Sequence, residues 1–406
     1  MPKDLRLLEI GKTGINFNYG YVHEDFLTEL HGSRGVKIFR EMSDNDTIVG
    51  SCLFAIKQIL REARWEVRPG DADVAECKKD AEFLKKNILF MTHSWTDFIV
   101  ETLSMLTYGW SYFEQVFKRE PNGDIVWKKL AHRKQSSLDK WDFDDVGEVL
   151  GMYQRPAPNY GLVYLPLKKS LLFRTEPAGN NPEGRSILRT AYKAWYYKKN
   201  IEEIEGVGIE RDLAGLPMLT PPPEFKIESE DAETQTAISW AKKLISTIRR
   251  DEQDGILIPH GWKFELVGSP GTRQFDTTEV INRYNKEIAV TVLAQFVMLG
   301  MERTGSYALA KEQTNMFLLC LEGWMDTIAS TFNRQAVPTL FGFNGISSKD
   351  RPLPYVVHTN IHQYNLRDLA YYVNTLANID GLVIDEDVQN YLKNYARLSE
   401  FRDVKK

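Results

Sequence analysis

The stretch Glu176-Pro-Ala-Gly-Asn-Asn-Pro-Glu-Gly-Arg-Ser-Ile-Leu-Arg189 divides the chain in two. Its two prolines and two glycines can continue neither a helix nor a strand, so the segment through Gly184 reads as a boundary. A long helix is predicted from Ser186 to about Leu213. Unbroken, its 28 residues would reach roughly 40 Å at ~1.5 Å per residue. The charges on it are segregated: Arg189, Lys193, Lys198 and Lys199 fill the first half, and Glu202, Glu203, Glu205 and Glu210 the second. Gly206-Val-Gly208 is the expected site of a kink.

Upstream of the boundary the pattern is mixed. Ile48, Cys52, Ile56, Ile59 and Ala63 recur at steps of three and four, which predicts a helix from Ser43 with Ser43 or Asp46 as its cap. Trp65-Glu-Val67 alternates like a strand and stops at Pro69-Gly70. Helices are predicted over Val74–Lys86 and from Ser94 to Thr107, the latter closed by Gly109. Trp110–Lys118 and Ile125-Val-Trp127 form a hairpin in which Asn122-Gly123 supplies the positive φ angles of a tight turn. Short strands follow at Trp141–Phe143, Val149–Tyr153, Leu162–Leu165 and Ser170–Arg174, so the region to about residue 176 reads as one α+β domain.

Downstream, Leu216–Thr220 and Pro221-Pro-Pro223 end the long helix and open a compact insert. It holds a helix over Ala232–Arg249 with Asp231 as cap, and strands at Gly255–Ile258 and Lys263–Val267. A second long helix runs from Asp276 to about Gln295 and a third from Ala308 to Phe332. Between them Phe296–Tyr307 is rich in Met, Gly and Arg. A strand at Tyr355–Thr359 and two shorter helices, capped at Asn365 and Asp385, complete the chain without an internal repeat.

Composition narrows the function. With 406 residues, 43% hydrophobic and 26% charged, the chain is neither disordered nor fibrous, and could hold two to four domains. Lys and Arg number 51 against 56 Asp and Glu, which argues against a protein that coats nucleic acid by charge, but not against one that lets it pass. The three cysteines form no CxxC pair, which fits a reducing compartment. No secretory leader is read at the N-terminus, and the longest apolar stretch, Ala289–Met301, is interrupted and falls short of the ~20 residues that span a bilayer, so no membrane association is expected.

Catalytic constellations are missing. Gly11-Lys-Thr13 resembles the end of a phosphate loop, but Arg6 stands where its first glycine belongs. His358 and His362 lie four apart in a strand context without a third ligand. Asp142-Phe-Asp144-Asp145 and Glu228–Glu233 read as solvated surface. No catalytic residue, metal or cofactor is expected. Trp195-Tyr-Tyr197 with Lys193, Lys198 and Lys199 is an aromatic–basic cluster that suits either nucleic-acid stacking or packing against a helix or subunit.

The order of elements resembles the portal proteins of tailed bacteriophages over roughly residues 30–400. The resemblance is carried by Arg61-Glu-Ala-Arg-Trp-Glu-Val-Arg-Pro69, by Leu106-Thr-Tyr-Gly-Trp-Ser-Tyr-Phe-Glu-Gln-Val116, and by Gly179–Arg189 at the opening of the first long helix. Lys286-Glu-Ile288 and Gly305-Ser-Tyr307 match further along. It implies an α+β portal fold: a wing over 1–184, a first stem helix over 185–213, a clip over 214–272 and a second stem helix over 273–295. A tunnel loop over 296–307, a return helix over 308–345, and a strand with crown helices over 346–406 would follow.

The same resemblance implies a non-enzymatic ring of about twelve copies at one capsid vertex. Its partners would be itself, double-stranded DNA threaded through the axis during packaging and ejection, the terminase large subunit, the major capsid protein, and a head-tail adaptor or tail proteins. The protein would be assembled in the host cytoplasm and end in the virion. Carried over by position, Met298, Leu299, Met301, Glu302, Arg303, Thr304, Ser306 and Tyr307 would face DNA in the tunnel loop, with Gly300 and Gly305 giving backbone freedom. Glu224, Glu228, Glu230, Lys242, Lys243, Arg249 and Arg250 would make clip contacts with motor, adaptor and neighbouring subunits. Lys193, Lys198, Lys199, Glu202, Glu203, Arg283 and Lys286 would belong to the stem. A channel that lets DNA slide is expected to be net acidic or neutral, because a basic lining would grip phosphates. The competing readings are a nucleic-acid-processing packaging enzyme, which the missing phosphate loop opposes, and a non-portal ring adaptor, which would be shorter and lack paired long helices.

Overall fold

The computed structural model describes residues 10–214, 216–225, 227, 228, 230–247, 257–267, 276–292, 307–359 and 361, with isolated positions 371, 373–375 and 389. Helix and strand are mixed. The chain forms two compact units, one from Met1–Arg189 with Leu293–Lys406 and one from Thr190–Val292.

The first unit opens with a small hairpin, β1 (Phe17–Asn18) and β2 (Tyr21–Val22), followed by α1 (Gly32–Asn45) and α2 (Thr47–Arg61). Asp46 caps α2, its carboxylate accepting from the amides of Ile48 and Val49 at 3.0 Å each. Ser43 lies inside α1, a helix the hydrophobic spacing had not separated from α2. The buried face of α2 is Val49, Cys52, Leu53, Ile56 and Leu60, about one position round from the expected stripe.

Next come β3 (Trp65–Arg68), α3 (Ala75–Leu89), α4 (Trp95–Thr102) and α5 (Ser104–Tyr108). Ser94 and Asp97 form a reciprocal capping box at the start of α4. The single helix expected from Ser94 is therefore two, broken at Leu103 and closed by Gly109 with φ 92°.

Six strands follow: β4 (Trp110–Arg119), β5 (Ile125–Arg133), β6 (Leu138–Phe143), β7 (Val149–Gln154), β8 (Val163–Pro166) and β9 (Ser170–Arg174). They build two antiparallel sheets, ordered β5-β4-β9 and β6-β7-β8. In the β4–β5 turn only Gly123 takes a positive φ, 95°, and Asn122 does not, because the loop is longer than a two-residue turn.

Strand β4 is buried on both faces, so its side chains feed two cores by strict alternation. Phe113 joins Phe98, Trp127, Leu171 and Phe173 in the larger core. Trp110 and Tyr112 join Trp141, Met152, Leu165 and Leu172 in the smaller. Two polar groups caught on this strand are paired: the Ser111 hydroxyl donates to the Thr102 carbonyl at 3.0 Å, and the Gln115 Oε1 accepts from the Trp127 indole at 3.1 Å, while the Gln115 amide nitrogen is buried without a partner.

The second unit begins with α6 (Tyr192–Ala214), which starts six residues later than expected. Its 23 residues still span about 35 Å, and the helix passes through Gly206 and Gly208 without interruption. Ser186 is diverted into a turn, where its hydroxyl donates to the Thr107 carbonyl at 2.6 Å. After α6 come β10 (Leu216–Thr220), α7 (Ala232–Thr247), β11 (Lys263–Val267) and α8 (Thr277–Thr291). Strands β10 and β11 pair antiparallel, from Leu216 opposite Val267 to Thr220 opposite Lys263. Leu257 and Ile258 are not in a strand, and the rest of the strand expected at 255–258 lies outside the described residues. Asp276 caps α8 through the Thr278 and Glu279 amides.

The chain then returns to the first unit with α9 (Tyr307–Thr331), a π turn over Phe332–Ala336, α10 (Val337–Phe343) and β12 (Tyr355–His358). Phe317, Leu321, Met325, Ile328, Phe332, Leu340 and Phe341 complete the larger core. Strand β12 pairs antiparallel with β3, about 290 residues away in sequence. The helices expected to be capped at Asn365 and Asp385 lie outside the described residues.

Candidate interface on the paired helices

In the second unit α6 and α8 lie against each other. The ring of Tyr197 stacks on Tyr284, with centroids 6.5 Å apart and planes 20° apart. At the other end of the contact the Thr277 hydroxyl donates to Glu205. Between the two helices an open groove of about 610 Å³ is lined by Lys193, Ala194 and Tyr197 from α6, and by Arg283, Lys286 and Val290 among the residues of α8. Three cations therefore converge on an aromatic and aliphatic floor. The Arg283 guanidinium sits 5.0 Å from the Tyr284 ring centroid. Its 3.9 Å approach to Glu287 is an exposed pair of little energetic weight.

Of the residues assigned to the stem, the fold thus gathers Lys193, Arg283 and Lys286, which come from helices ninety residues apart in sequence. The others go elsewhere. Lys198 is only 2% exposed and lies 3.7 Å from Glu202, one turn on. Lys199 rests 5.6 Å from the ring of Trp195. Glu203 is exposed. The aromatic–basic cluster splits in the same way: Trp195 is buried as packing, while Tyr196 and Tyr197 are about half exposed.

Among the residues assigned to the clip, Glu224, Glu228 and Glu230 are exposed ahead of α7, and Lys242 and Lys243 are exposed on it. Asp231 caps α7, and hydrogen bonds from Thr234 and from the Glu233 and Thr234 amides hold its carboxyl below the usual range. Phe225, Trp262 and Trp240 form a run of edge-on rings. Arg249 and Arg250 lie outside the described residues, as do Met298, Leu299, Met301, Glu302, Arg303, Thr304 and Ser306. Tyr307 is the first residue of α9.

A polar cluster that sequence spacing did not reveal sits in the first unit, where residues 22–31 meet the dividing loop. Arg189 forms a two-pronged ion pair with Asp25 and lies under the ring of Phe26 at 4.9 Å. Glu183 accepts from the Trp141 indole at 3.1 Å, and burial pushes its carboxyl up to about 7. The partners are 42 and 164 residues apart, so no local pattern could announce them.

Among the described residues, no three His, Cys, Asp or Glu side chains are placed to hold a metal ion. His358 instead bonds Asp326 at 2.9 Å, and His362 lies outside the described residues. Among the described residues, no helix is long and apolar enough to cross a membrane.

A family model for the portal protein of Mu bacteriophage matches residues 36–393. The chain belongs to that portal family. The match covers almost the whole span over which the short motifs had pointed the same way. Portal proteins of this family are structural rather than catalytic, which sets the packaging-enzyme reading aside, and membership of the portal family sets aside the non-portal adaptor.

Two gene transfer agent structures agree at the level of fold. The neck of an empty gene transfer agent particle, computed with C6 symmetry, is 12% identical, with 88% of this chain and 92% of that one covered at a TM-score of 0.54. The virion of a native gene transfer agent particle gives 12% identity, the same coverage and 0.53. An HK97-family phage portal protein from Corynebacterium diphtheriae is 11% identical, with 77% and 92% covered and a TM-score of 0.44.

Proposed function

We propose that this chain assembles into a closed ring of about twelve copies at one vertex of a capsid. The ring is the conduit for double-stranded DNA during packaging and ejection. Residues up to 184 form its wing, α6 and α8 its stem, and the module between them its clip. The clip is the docking surface for the terminase motor and later for a tail or head-tail adaptor. The wing contacts the major capsid protein, and residues 296–307 form the loop nearest the DNA. Assembly takes place in the host cytoplasm and the product stays in the virion.

The observation that carries this reading is the family match across 36–393. Two features support it. The second unit is one continuous excursion, Thr190–Val292, bounded by two helices that run alongside each other. Its small α/β module bears separate acidic and basic patches, as expected of a surface that meets several partners. The test is genetic. A phage from which this chain is deleted should form heads that contain no DNA and carry no tails. DNA-filled heads in its absence would overturn the reading.

A further inference from the structure

In the first unit a groove of about 580 Å³ separates α3 from the β4–β5 hairpin. Its α3 wall follows from helical spacing. Lys78, Glu82 and Lys86 recur every four residues along the rim, while Lys79, Phe83 and Phe90 fall on the next stripe inward. Phe83 is half-buried, but Phe90 is 68% exposed, an aromatic ring left in solvent just past the end of α3. Val126 and Trp127 supply the apolar side contributed by the hairpin. The groove is preformed. Asn87 ties its floor together, its side-chain oxygen accepting from the Trp127 amide at 3.1 Å and its nitrogen donating to the Phe83 carbonyl at 3.0 Å. Asn344 holds the hairpin by the amide and carbonyl of Ile125, at 2.9 and 2.8 Å. Walls fixed in this way need little ordering when a partner binds.

The two walls differ in charge. On the hairpin, Lys118 pairs with Glu120 at 2.7 Å, and Asp124 accepts from the Asn122 side chain at 2.6 Å, so these groups are engaged within their own wall. On α3 three lysines stand against one carboxylate, Glu82, which leaves that wall with surplus positive charge. We propose that this groove docks an acidic segment of a partner protein. Carboxylates of the segment meet Lys78, Lys79 and Lys86, and one aromatic or branched aliphatic side chain packs on Phe83, Phe90 and Val126. The combination selects the occupant. Nucleic acid would bring phosphates to the lysines but would leave the aromatic floor empty and would meet Glu82 and Glu120. A wholly apolar segment would fill the floor and leave the lysines unused. The inference stands on the first unit alone and does not depend on the ring.

The test selects peptides from a displayed random library on the full chain. Those recovered should be rich in Asp and Glu around one aromatic or aliphatic residue. A fluorescent synthetic copy of the strongest, followed by anisotropy, should bind Lys86→Glu and Phe90→Ser at least about tenfold more weakly than wild type. Lys86→Arg keeps the charge and should bind within about threefold of wild type. The same peptide with Lys in place of each Asp and Glu should not bind. Both positions are exposed, and circular dichroism should show the variants folded alike. Recovered peptides without acidic residues, equal binding to the variants and the wild type, or a library that yields no binder would each overturn the proposal. So would a short DNA duplex that displaces the peptide and is weakened by Lys86→Glu but not by Phe90→Ser, since the groove would then be a phosphate site.

Discussion

Replacing Gly109 with alanine tests how the dividing loop is anchored. Gly109 ends α5 with φ 92° and ψ −25°, a region where a side chain costs ~1–2 kcal/mol. Space is the larger problem. A Cβ built there would lie 2.2 Å from the Glu183 carbonyl oxygen and 3.1 Å from the amides of Arg185 and Ser186. These atoms are backbone and cannot swing aside, so residues 183–187 must move. That segment is tied to the same corner by Ile187 N–H to the Leu106 carbonyl at 3.0 Å, and by the Ser186 hydroxyl to the Thr107 carbonyl. Thr175 also donates to the Gly109 carbonyl, from its amide at 3.0 Å and its hydroxyl at 3.1 Å. Loss of two or three of these bonds at ~1 kcal/mol each brings the expected cost to ~3–5 kcal/mol.

Gly123→Ala is the control, because Gly123 has nearly the same φ, 95°, with nothing within 4 Å of the added carbon. It should lose only the backbone contribution of ~1–2 kcal/mol. Urea unfolding of both variants, followed by fluorescence and circular dichroism, measures the difference. Equal losses within ~0.5 kcal/mol would refute the claim that the loop is clamped on Gly109.

Three further outcomes follow from individual contacts. Glu183 has a folded-state pKa raised to about 7 against an ordinary 4.5, so the folded protein holds the extra proton and stability falls as pH rises from about 4.5 to 7. Glu183→Gln should therefore be more stable than wild type at pH 8, by on the order of 1–3 kcal/mol after allowance for partial exposure, and gain nothing at pH 4; an equal gain at both would contradict this. Asp80 is buried and bonded to Arg351 at 2.5 and 2.9 Å, so Asp80→Asn should cost ~2 kcal/mol in thermal unfolding, and an unchanged midpoint would contradict the pairing. Gly206 sits in the body of α6 with open space around an added carbon, so Gly206→Ala should stabilise the chain by up to ~1 kcal/mol, and a loss would show that the position needs its flexibility.

Local chemistry was legible wherever the sequence carries its own signal. The Asp231 cap, Asp46 as one of two candidate caps, the β4–β5 hairpin and the two helices flanking the insert could all be read from spacing. Helix α1 could not. It opens Gly-Ser-Arg-Gly, whose two glycines are poor helix formers, and His31 offers no side-chain cap, so its stability comes from burying Val36, Phe39 and Met42. Ser186 misled in the opposite way: it looks like a cap, and its hydroxyl does accept from the Leu188 amide, yet its bond to Thr107 holds a turn in place of the helix. Lys198 illustrates the limit for function. Its position in a charged run suggests solvent, but the fold buries it beside Glu202 and leaves Lys193 to meet Arg283 and Lys286 from a distant helix.

The most direct test of the portal assignment is an electron micrograph of the purified chain combined with its native mass. At 46.8 kDa per copy, about twelve copies give about 560 kDa, and end-on views should show a ring with a central hole. A compact 46.8 kDa monomer at every concentration, with no ring in any view, would contradict it.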